Sequence, residues 1–301
     1  MSAVPSPLEL RGVHVPLITP FAADGSVALD AVASLTHHYL DAGATGIVAL
    51  GTTGESAALD ADEQRAVIDA CSTVCAERGA PLMVGVGTNS TRTTIAKAEA
   101  LRGNAAVTSV LVVTPYYVRP SEAGIVAHMR AVADASPVPV VLYNIPYRTG
   151  RGLGAASILE LAQHPNIAGI KQSVGGIDGD TAEVLSAAPA GFDVLCGEDP
   201  FMLPMIVLGG TGVIAASAHV CTARFVALVD DALAGRIAES RAHHEALLPV
   251  VQSGFTEPNP AVFKGVLHAQ GLIPTPDLRL PMTNASPEAV ARALAAIDAA
   301  S

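Results

Sequence analysis

The sequence predicts an α/β fold: a (β/α)8 or TIM barrel followed by a C-terminal helical appendage. The 301 residues are enough for one barrel of about 250 residues with an extension. Half of the residues are apolar but only 4% are aromatic, so Val, Leu, Ile and Ala must fill the core, as they do in barrel interiors. Short apolar runs also alternate with longer amphipathic stretches, which is the pattern of strand–helix repeats.

The apolar runs are rich in Val, Ile and Leu and show no alternation, as expected for parallel strands that are buried on both faces. The predicted strands are residues 13–18, 46–50, 82–86, 109–113, 138–142, 167–171, 192–196 and 212–216.

The helices between the strands have recognisable ends. Asp60, with Glu63 three residues later, predicts a capping box, and Gly79 ends the same helix. A doubly wound open sheet is the alternative fold, but no G-x-G-x-x-G follows the first strand. The glycine-rich segment 208–212 precedes a strand, so we interpret it as a helix-to-strand turn and not as a phosphate-binding loop.

The chain is predicted to comprise a catalytic barrel over residues 1–234 and a C-terminal helical region over residues 235–301. From about residue 235 only helical patterns continue, with a break at the proline-containing segment 257–260. The last helix opens at Ser286, an N-cap, with Pro287 at its first position.

Charge and composition exclude several classes of protein. The formal net charge of −11 argues against nucleic acid and anionic membranes as partners. No apolar run approaches the roughly 20 residues of a membrane-spanning helix, and no signal-peptide pattern opens the sequence, so we expect a cytoplasmic protein. The four cysteines lack zinc-ligand spacing, and we expect them to be reduced and buried, with no metal site.

Lys171 is the first candidate for catalysis, and it is one of only three lysines, with Lys97 and Lys264. It closes an apolar strand pattern, where a buried ammonium is costly unless it is paired or neutralised. A neutral amine is a nucleophile that forms a Schiff base with a carbonyl substrate. The alternative is a structural lysine in an ion pair with a barrel carboxylate such as Glu198.

Polar segments follow the second, fourth, fifth and seventh predicted strands at their carboxyl ends, the face on which barrel active sites are built. These segments are residues 51–55, 114–117, 143–148 and 197–199. They support iminium chemistry with Lys171. The backbone N–H groups of Thr52 and Thr53 can bind a carboxylate, Tyr143 can pass protons through the Thr52 hydroxyl, and Arg148 can bind a second carboxylate.

These motifs resemble those of the pyruvate-dependent class I aldolases, the family of dihydrodipicolinate synthase and N-acetylneuraminate lyase, over the whole chain. The motifs shared across the family are Gly51-Thr-Thr-Gly-Glu55, Tyr143-Asn-Ile-Pro146 and Gly169-Ile-Lys171. The motifs typical of the synthase branch are Thr114-Pro-Tyr-Tyr-Val-Arg-Pro120, Arg148-Thr-Gly150, Glu257-Pro-Asn-Pro260 and Leu278-Arg-Leu-Pro-Met282.

The resemblance implies catalytic roles for four residues. Lys171 matches the Schiff-base lysine, Tyr143 the general acid and base, and Thr52 the relay hydroxyl. Tyr117 matches a relay tyrosine that reaches into the site of a neighbouring subunit. The resemblance also implies a homotetramer built as a dimer of dimers, with no cofactor beyond the covalent Schiff base.

Three further residues match substrate-binding positions. Thr53 corresponds to the residue that binds the pyruvate carboxylate, Arg148 to the arginine that binds the carboxylate of L-aspartate semialdehyde, and Ile214 to a residue that lines the pocket. The implied reaction is a condensation of these two substrates in lysine and diaminopimelate biosynthesis.

One difference from the synthase motifs keeps a second function as an alternative. The synthase commonly has Lys-Glu-Ala where this chain has Lys171-Gln172-Ser173, which is closer to the lyase. The second hypothesis is therefore a sibling lyase, acting on N-acetylneuraminate or a 2-keto-3-deoxy sugar acid, although Arg148 favours a substrate with a second carboxylate. A catalytically silent barrel with a binding role is the remote alternative.

The resemblance also predicts weak feedback by L-lysine. In lysine-sensitive synthases a glutamate and two histidines contribute to the effector site. Here Thr93 takes the position of the glutamate, and Ala61 and Gln64 replace the histidines.

Overall fold

The computed structural model describes residue 8 and residues 10–300. In this part of the chain the strands form a closed barrel in sequence order, and the paired strands are parallel. The strands are β1 (Gly12–Pro16), β2 (Gly46–Ala49), β3 (Leu82–Gly85), β4 (Val107–Val113), β5 (Val140–Asn144), β6 (Ile167–Gln172), β7 (Asp193–Cys196) and β8 (Gly212–Ile214). The predicted barrel is confirmed, and the doubly wound alternative is wrong.

The strands are buried along almost their whole length, which explains their continuous apolar runs. The largest difference from the prediction is in β5, which begins and ends two residues later than expected. Pro137 and Pro139 lack the N–H that a ladder needs, and Ser136 forms a local turn through hydrogen bonds with Val138. Tyr143 therefore lies within the strand and not in the loop after it.

The helices follow the strands as predicted. They are α1 (Leu29–Asp41), α2 (Ala61–Arg78), α3 (Thr91–Glu99), α4 (Glu122–Ala135), α5 (Pro146–Thr149), α6 (Ala155–Leu161), α7 (Gly179–Ala187), α8 (Met202–Val207), α9 (Thr222–Leu233), α10 (Ile237–Gly254), α11 (Ala261–Ala269) and α12 (Pro287–Ala300). The capping box at Asp60 and Glu63 is present, and Gly79 closes α2 at φ +62°. Residues 208–212 form the predicted turn from α8 into β8.

After α9 the helices α10, α11 and α12 follow, and the described residues beyond α9 contain no strand, as expected. Ser286 caps α12 by accepting a hydrogen bond from the Ala289 N–H at 3.2 Å. The described residues form two compact units, one containing Met83–Val213 and the other containing Gly12–Leu82 and the residues from Ile214 onward. The boundary predicted between residues 234 and 235 stays a prediction.

The cysteines are free thiols. Cys71, Cys75 and Cys196 are buried as predicted, but Cys221, at the N-cap of α9, is partly exposed. None of the helices in the described part of the chain combines the length and the hydropathy of a membrane-spanning segment.

Candidate active site

Lys171 lies at the penultimate position of β6 and is buried, with 8% of its surface exposed. Among the described residues, no carboxylate forms an ion pair with it. Glu198, the partner in the structural alternative, instead accepts a hydrogen bond from the Gly175 N–H at 3.2 Å. The Lys171 amine therefore forms no salt bridge within the described chain.

Tyr143 is the neighbour that defines the environment of this amine. The two residues are register partners on the adjacent strands β5 and β6. The Lys171 Nζ lies 4.4 Å from the centroid of the Tyr143 ring, within the range of a cation–π interaction. The Thr114 N–H donates to the Tyr143 carbonyl at 3.0 Å and so continues the β4–β5 ladder past Val113. A phenol and an amine are thus held side by side by rigid strands.

The end of β7 leaves room for the lysine because residue 197 is glycine. A Cβ at Gly197 would lie 2.6 Å from Cε of Lys171 and 2.0 Å from Oγ of Ser173. Both distances are shorter than any real contact, so a side chain there would displace the lysine. The sequence placed Gly197 in a polar segment but gave no sign of this steric role.

Gln172 and Ser173 are the two residues in which this chain differs from the synthase pattern Lys-Glu-Ala. The surroundings of the two side chains differ from each other. Gln172 belongs to a network behind the strand: its Oε1 accepts from Asn144 Nδ2 at 3.1 Å and its Nε2 donates to Thr181 Oγ1 at 3.0 Å. Since successive strand residues point to opposite faces, Gln172 faces away from the side that Lys171 faces. The Ser173 hydroxyl is buried and has no hydrogen-bond partner in the described chain.

Arg148 and Tyr117 are both exposed. Arg148 lies on the short helix α5, which begins two residues after β5, and within the described residues it forms no ion pair. Tyr117 is 88% exposed and adopts φ +71°, a left-handed conformation that is rare for a bulky residue. Two residues later, Arg119 Nε donates a hydrogen bond to the Gly150 carbonyl at 3.2 Å. The described chain therefore presents the Tyr117 phenol to its surroundings.

In the other compact unit, Thr52–Gly54 form a single 3-10 turn that begins three residues after β2. The Thr52 and Thr53 N–H groups donate to no acceptor in the described chain, as expected at the start of a helical turn. Thr52 is exposed, whereas Thr53 is 4% exposed and its Oγ1 accepts a hydrogen bond from Asn259 Nδ2 at 2.9 Å. The turn offers the pair of free backbone donors that the sequence analysis assigned to a carboxylate.

Ile214 ends β8 and is fully buried in the same unit. The sequence analysis gave no role to two further residues near the turn. Asn259 contacts Thr53 in the turn, and Lys264 pairs with Glu55, the residue that follows it. Asn259 belongs to a motif that was noted only as typical of the synthase branch. Lys264 carried no such signal beyond the scarcity of lysine in the chain.

Comparison with known proteins identifies the family. A family model described as the dihydrodipicolinate synthetase family matches residues 9–300. This chain belongs to that family.

Members of the dihydrodipicolinate synthetase family with similar sequences include two bacterial proteins named 4-hydroxy-tetrahydrodipicolinate synthase. The protein from Neisseria meningitidis serogroup C is 39% identical over 96% of this chain and 98% of its own length. The one from Moorella thermoacetica is 39% identical over 93% of this chain and 95% of its own. A crystal structure described as dihydrodipicolinate synthase from Thermotoga maritima superposes with a TM-score of 0.93 at 30% identity, covering 97% of this chain and 99% of that one.

Proposed function

We propose that this chain catalyses the 4-hydroxy-tetrahydrodipicolinate synthase reaction, the Schiff-base condensation of pyruvate with L-aspartate semialdehyde. The observation that carries the proposal is the state of Lys171: the amine is buried, lies against Tyr143 and is not engaged in an ion pair within the described chain. The names of the relatives support the choice of reaction.

The first half of the reaction forms an enamine. The Lys171 amine attacks the carbonyl carbon of pyruvate to give a carbinolamine, which loses water to give an iminium ion. Loss of a proton from the methyl group then gives the enamine. Each step needs a proton donor or acceptor, and we assign this relay to Tyr143, the Thr52 hydroxyl and a Tyr117 from a neighbouring subunit.

The second half forms the carbon–carbon bond. The enamine carbon attacks the aldehyde of L-aspartate semialdehyde, water hydrolyses the resulting iminium to free Lys171, and the product cyclises. The backbone N–H groups of Thr52 and Thr53 bind the pyruvate carboxylate. Arg148 binds the carboxylate of the semialdehyde through two charge-assisted hydrogen bonds from its guanidinium group. Ile214 lines the pocket.

Reduction with borohydride tests the chemistry. The protein incubated with pyruvate and borohydride should gain one reduced pyruvyl adduct on Lys171, found by mass spectrometry of peptides. Lys171→Ala should gain none, whereas Lys97→Ala, a matched change at another lysine, should be labelled like the native protein. An adduct on another residue, or no adduct, contradicts the mechanism.

A panel of aldehydes tests the second substrate. We expect the semialdehyde to give the highest kcat/KM. A preference for N-acetylmannosamine or a neutral sugar aldehyde would instead establish the sibling lyase, for which the Lys171-Gln172-Ser173 sequence is typical.

The assembly and the cellular setting are also part of the proposal. We propose a cytoplasmic homotetramer, built as a dimer of dimers, with no cofactor and with no nucleic acid or membrane as a partner. Tyr116, Tyr117 and Val118 form an exposed run of large side chains, which supports a subunit contact there. The net charge of −11 supports the absence of nucleic-acid partners.

A further inference from the structure

The turn that follows β2 is held by residues from the C-terminal part of the chain. Thr53 Oγ1 accepts from Asn259 Nδ2 at 2.9 Å. Glu55 Oε1 accepts from Lys264 Nζ at 2.7 Å, and its Oε2 accepts from the Arg279 N–H at 3.1 Å. Three residues that lie between α10 and α12 thus contact two residues in or next to this turn.

The ion pair between Glu55 and Lys264 is the most deeply buried of these contacts. The Lys264 side chain is fully buried and that of Glu55 is 3% exposed. Burial lowers the pKa of Lys264, and the nearby Glu55 carboxylate opposes that shift. Removing one partner of such a pair leaves a buried unpaired charge, which is destabilising.

This pair also stabilises an unusual backbone conformation. Glu55 has φ +51° and ψ +32°, the left-handed region that non-glycine residues seldom occupy. It is the residue immediately after the Thr52–Gly54 turn, and its N–H donates to the Thr52 carbonyl at 3.2 Å. Contacts that fix the position of the Glu55 side chain therefore also fix the orientation of the Thr52 and Thr53 N–H groups.

Asn259 adds a constraint on the Thr53 hydroxyl. Because this oxygen already accepts the amide hydrogen of Asn259, its own proton is free to be donated elsewhere. The arrangement presents Thr53 as a donor, which suits an anionic ligand.

We propose that Asn259, Lys264 and Arg279 are positioning residues of the pyruvate-carboxylate site. Through Thr53 and Glu55 they hold the Thr52–Gly54 turn in the geometry that binds the carboxylate. The inference rests on the proposed function, because that function assigns the turn to pyruvate. The competing view is that these contacts only stabilise the fold.

Lys264→Met is the first test, because methionine retains much of the apolar stem and removes the charge. The pyruvate concentration that gives half-maximal borohydride trapping of Lys171 should rise by about tenfold or more. At saturating pyruvate, kcat should stay within about threefold of the native value and the KM for the aldehyde should not change. The double change Glu55→Gln with Lys264→Met should bind pyruvate better than Lys264→Met alone, since it leaves no unpaired charge.

Asn259→Ala provides a second test that leaves the buried ion pair intact, so it serves if Lys264→Met does not fold. It too should raise the half-maximal pyruvate concentration. Ser240→Ala is the matched structural control: it removes a buried hydroxyl that donates to the Leu228 carbonyl at 2.7 Å and should lower thermal stability without changing pyruvate binding.

The outcomes separate this inference from the function on which it rests. If native protein is not trapped by pyruvate, the proposed function fails. If native protein is trapped and both Lys264→Met and Asn259→Ala retain the native half-maximal pyruvate concentration, the positioning role is wrong. A loss that falls equally on kcat and on both substrates would assign these residues to stability alone.

Discussion

The Lys171 amine lies over the face of the Tyr143 ring, 4.4 Å from its centroid, and the two residues are paired on adjacent strands. The ring and the hydroxyl of Tyr143 therefore have separable effects. The ring stabilises a positive charge at the amine through its π face, while the hydroxyl is the group that can transfer protons. A substitution that removes only the hydroxyl distinguishes the two.

Tyr143→Phe should lower kcat by about 10²–10⁴-fold, because the ring remains over Lys171 but the proton relay is broken. Borohydride trapping with pyruvate should become slower yet still reach completion. Tyr147→Phe is the matched control: it loses a hydroxyl from a residue that is 60% exposed, and its kcat should stay close to native. Native turnover in Tyr143→Phe would remove this residue from the proton relay.

The sequence predicted those features that arise from local patterns. The β6 strand and the position of Lys171 at its end follow from one apolar run, and the cap at Asp60 follows from a three-residue spacing. The hydrogen-bonded ion pair between Lys264 and Glu55 joins residues that are 209 positions apart in the sequence. A local sequence pattern therefore does not predict it. The steric role of Gly197 depends on packing between strands, which a single sequence does not reveal.

Arg148→Ala should impair use of the semialdehyde while leaving imine formation with pyruvate unchanged. Loss of a hydrogen-bonded charge costs about 1.5–3 kcal/mol, which corresponds to a decrease in kcat/KM for the semialdehyde of about 10–150-fold. The control is Arg151→Ala, a change to another exposed arginine in the same segment. Equal effects of the two substitutions, or a defect in pyruvate trapping, would contradict the assignment.

Tyr117→Phe should slow turnover only if its hydroxyl serves a site on another subunit, because its own chain leaves it 88% exposed. Mixing inactive Lys171→Ala subunits with Tyr117→Phe subunits tests this directly. Some mixed dimers would then contain one site with both groups, and activity should reappear as the subunits exchange.

Tyr116→Phe mixed with Lys171→Ala gives the comparison, since Tyr116 is adjacent in sequence but only 39% exposed. It should show no such complementation beyond its own activity. If Tyr117→Phe shows no recovery although subunit exchange is demonstrated, the tyrosine merely packs at a contact.

His219 should make the fold sensitive to acid. Burial lowers its pKa to about 4, and its ring is enclosed by Tyr39 and Phe263. Because the folded-state pKa lies below the unfolded value of 6.5, the folded state binds fewer protons, and the free energy of unfolding falls as the pH drops through 6.5 toward 4. Between pH 7 and 4.5 the loss should be on the order of 2–3 kcal/mol.

His219→Asn keeps a donor for the Ala216 carbonyl and does not titrate, although it loses the Nε2 acceptor of the Ile18 N–H. Chemical denaturation at several pH values should therefore give a flatter pH dependence for this variant, whatever its absolute stability. His37→Asn, a change to a half-exposed histidine, should retain the native slope. An unchanged slope in His219→Asn would contradict the prediction.

Feedback inhibition by L-lysine should be weak or absent, because the residues at the effector positions differ from those of lysine-sensitive synthases. Thr93, at the position of the effector-binding glutamate, donates its hydroxyl to Ser90 Oγ at 3.1 Å near the start of α3 and offers no negative charge. Gln64, at a histidine position, uses its amide to donate to the carbonyls of Ser56 and Leu59 at 2.9 and 3.0 Å. The two ammonium groups of lysine would therefore lack their main countercharge, a deficit of a few kcal/mol, roughly that of a buried charge without its partner. A steady-state assay should show no inhibition until lysine reaches the millimolar range, and sub-millimolar inhibition would show that another carboxylate binds the effector.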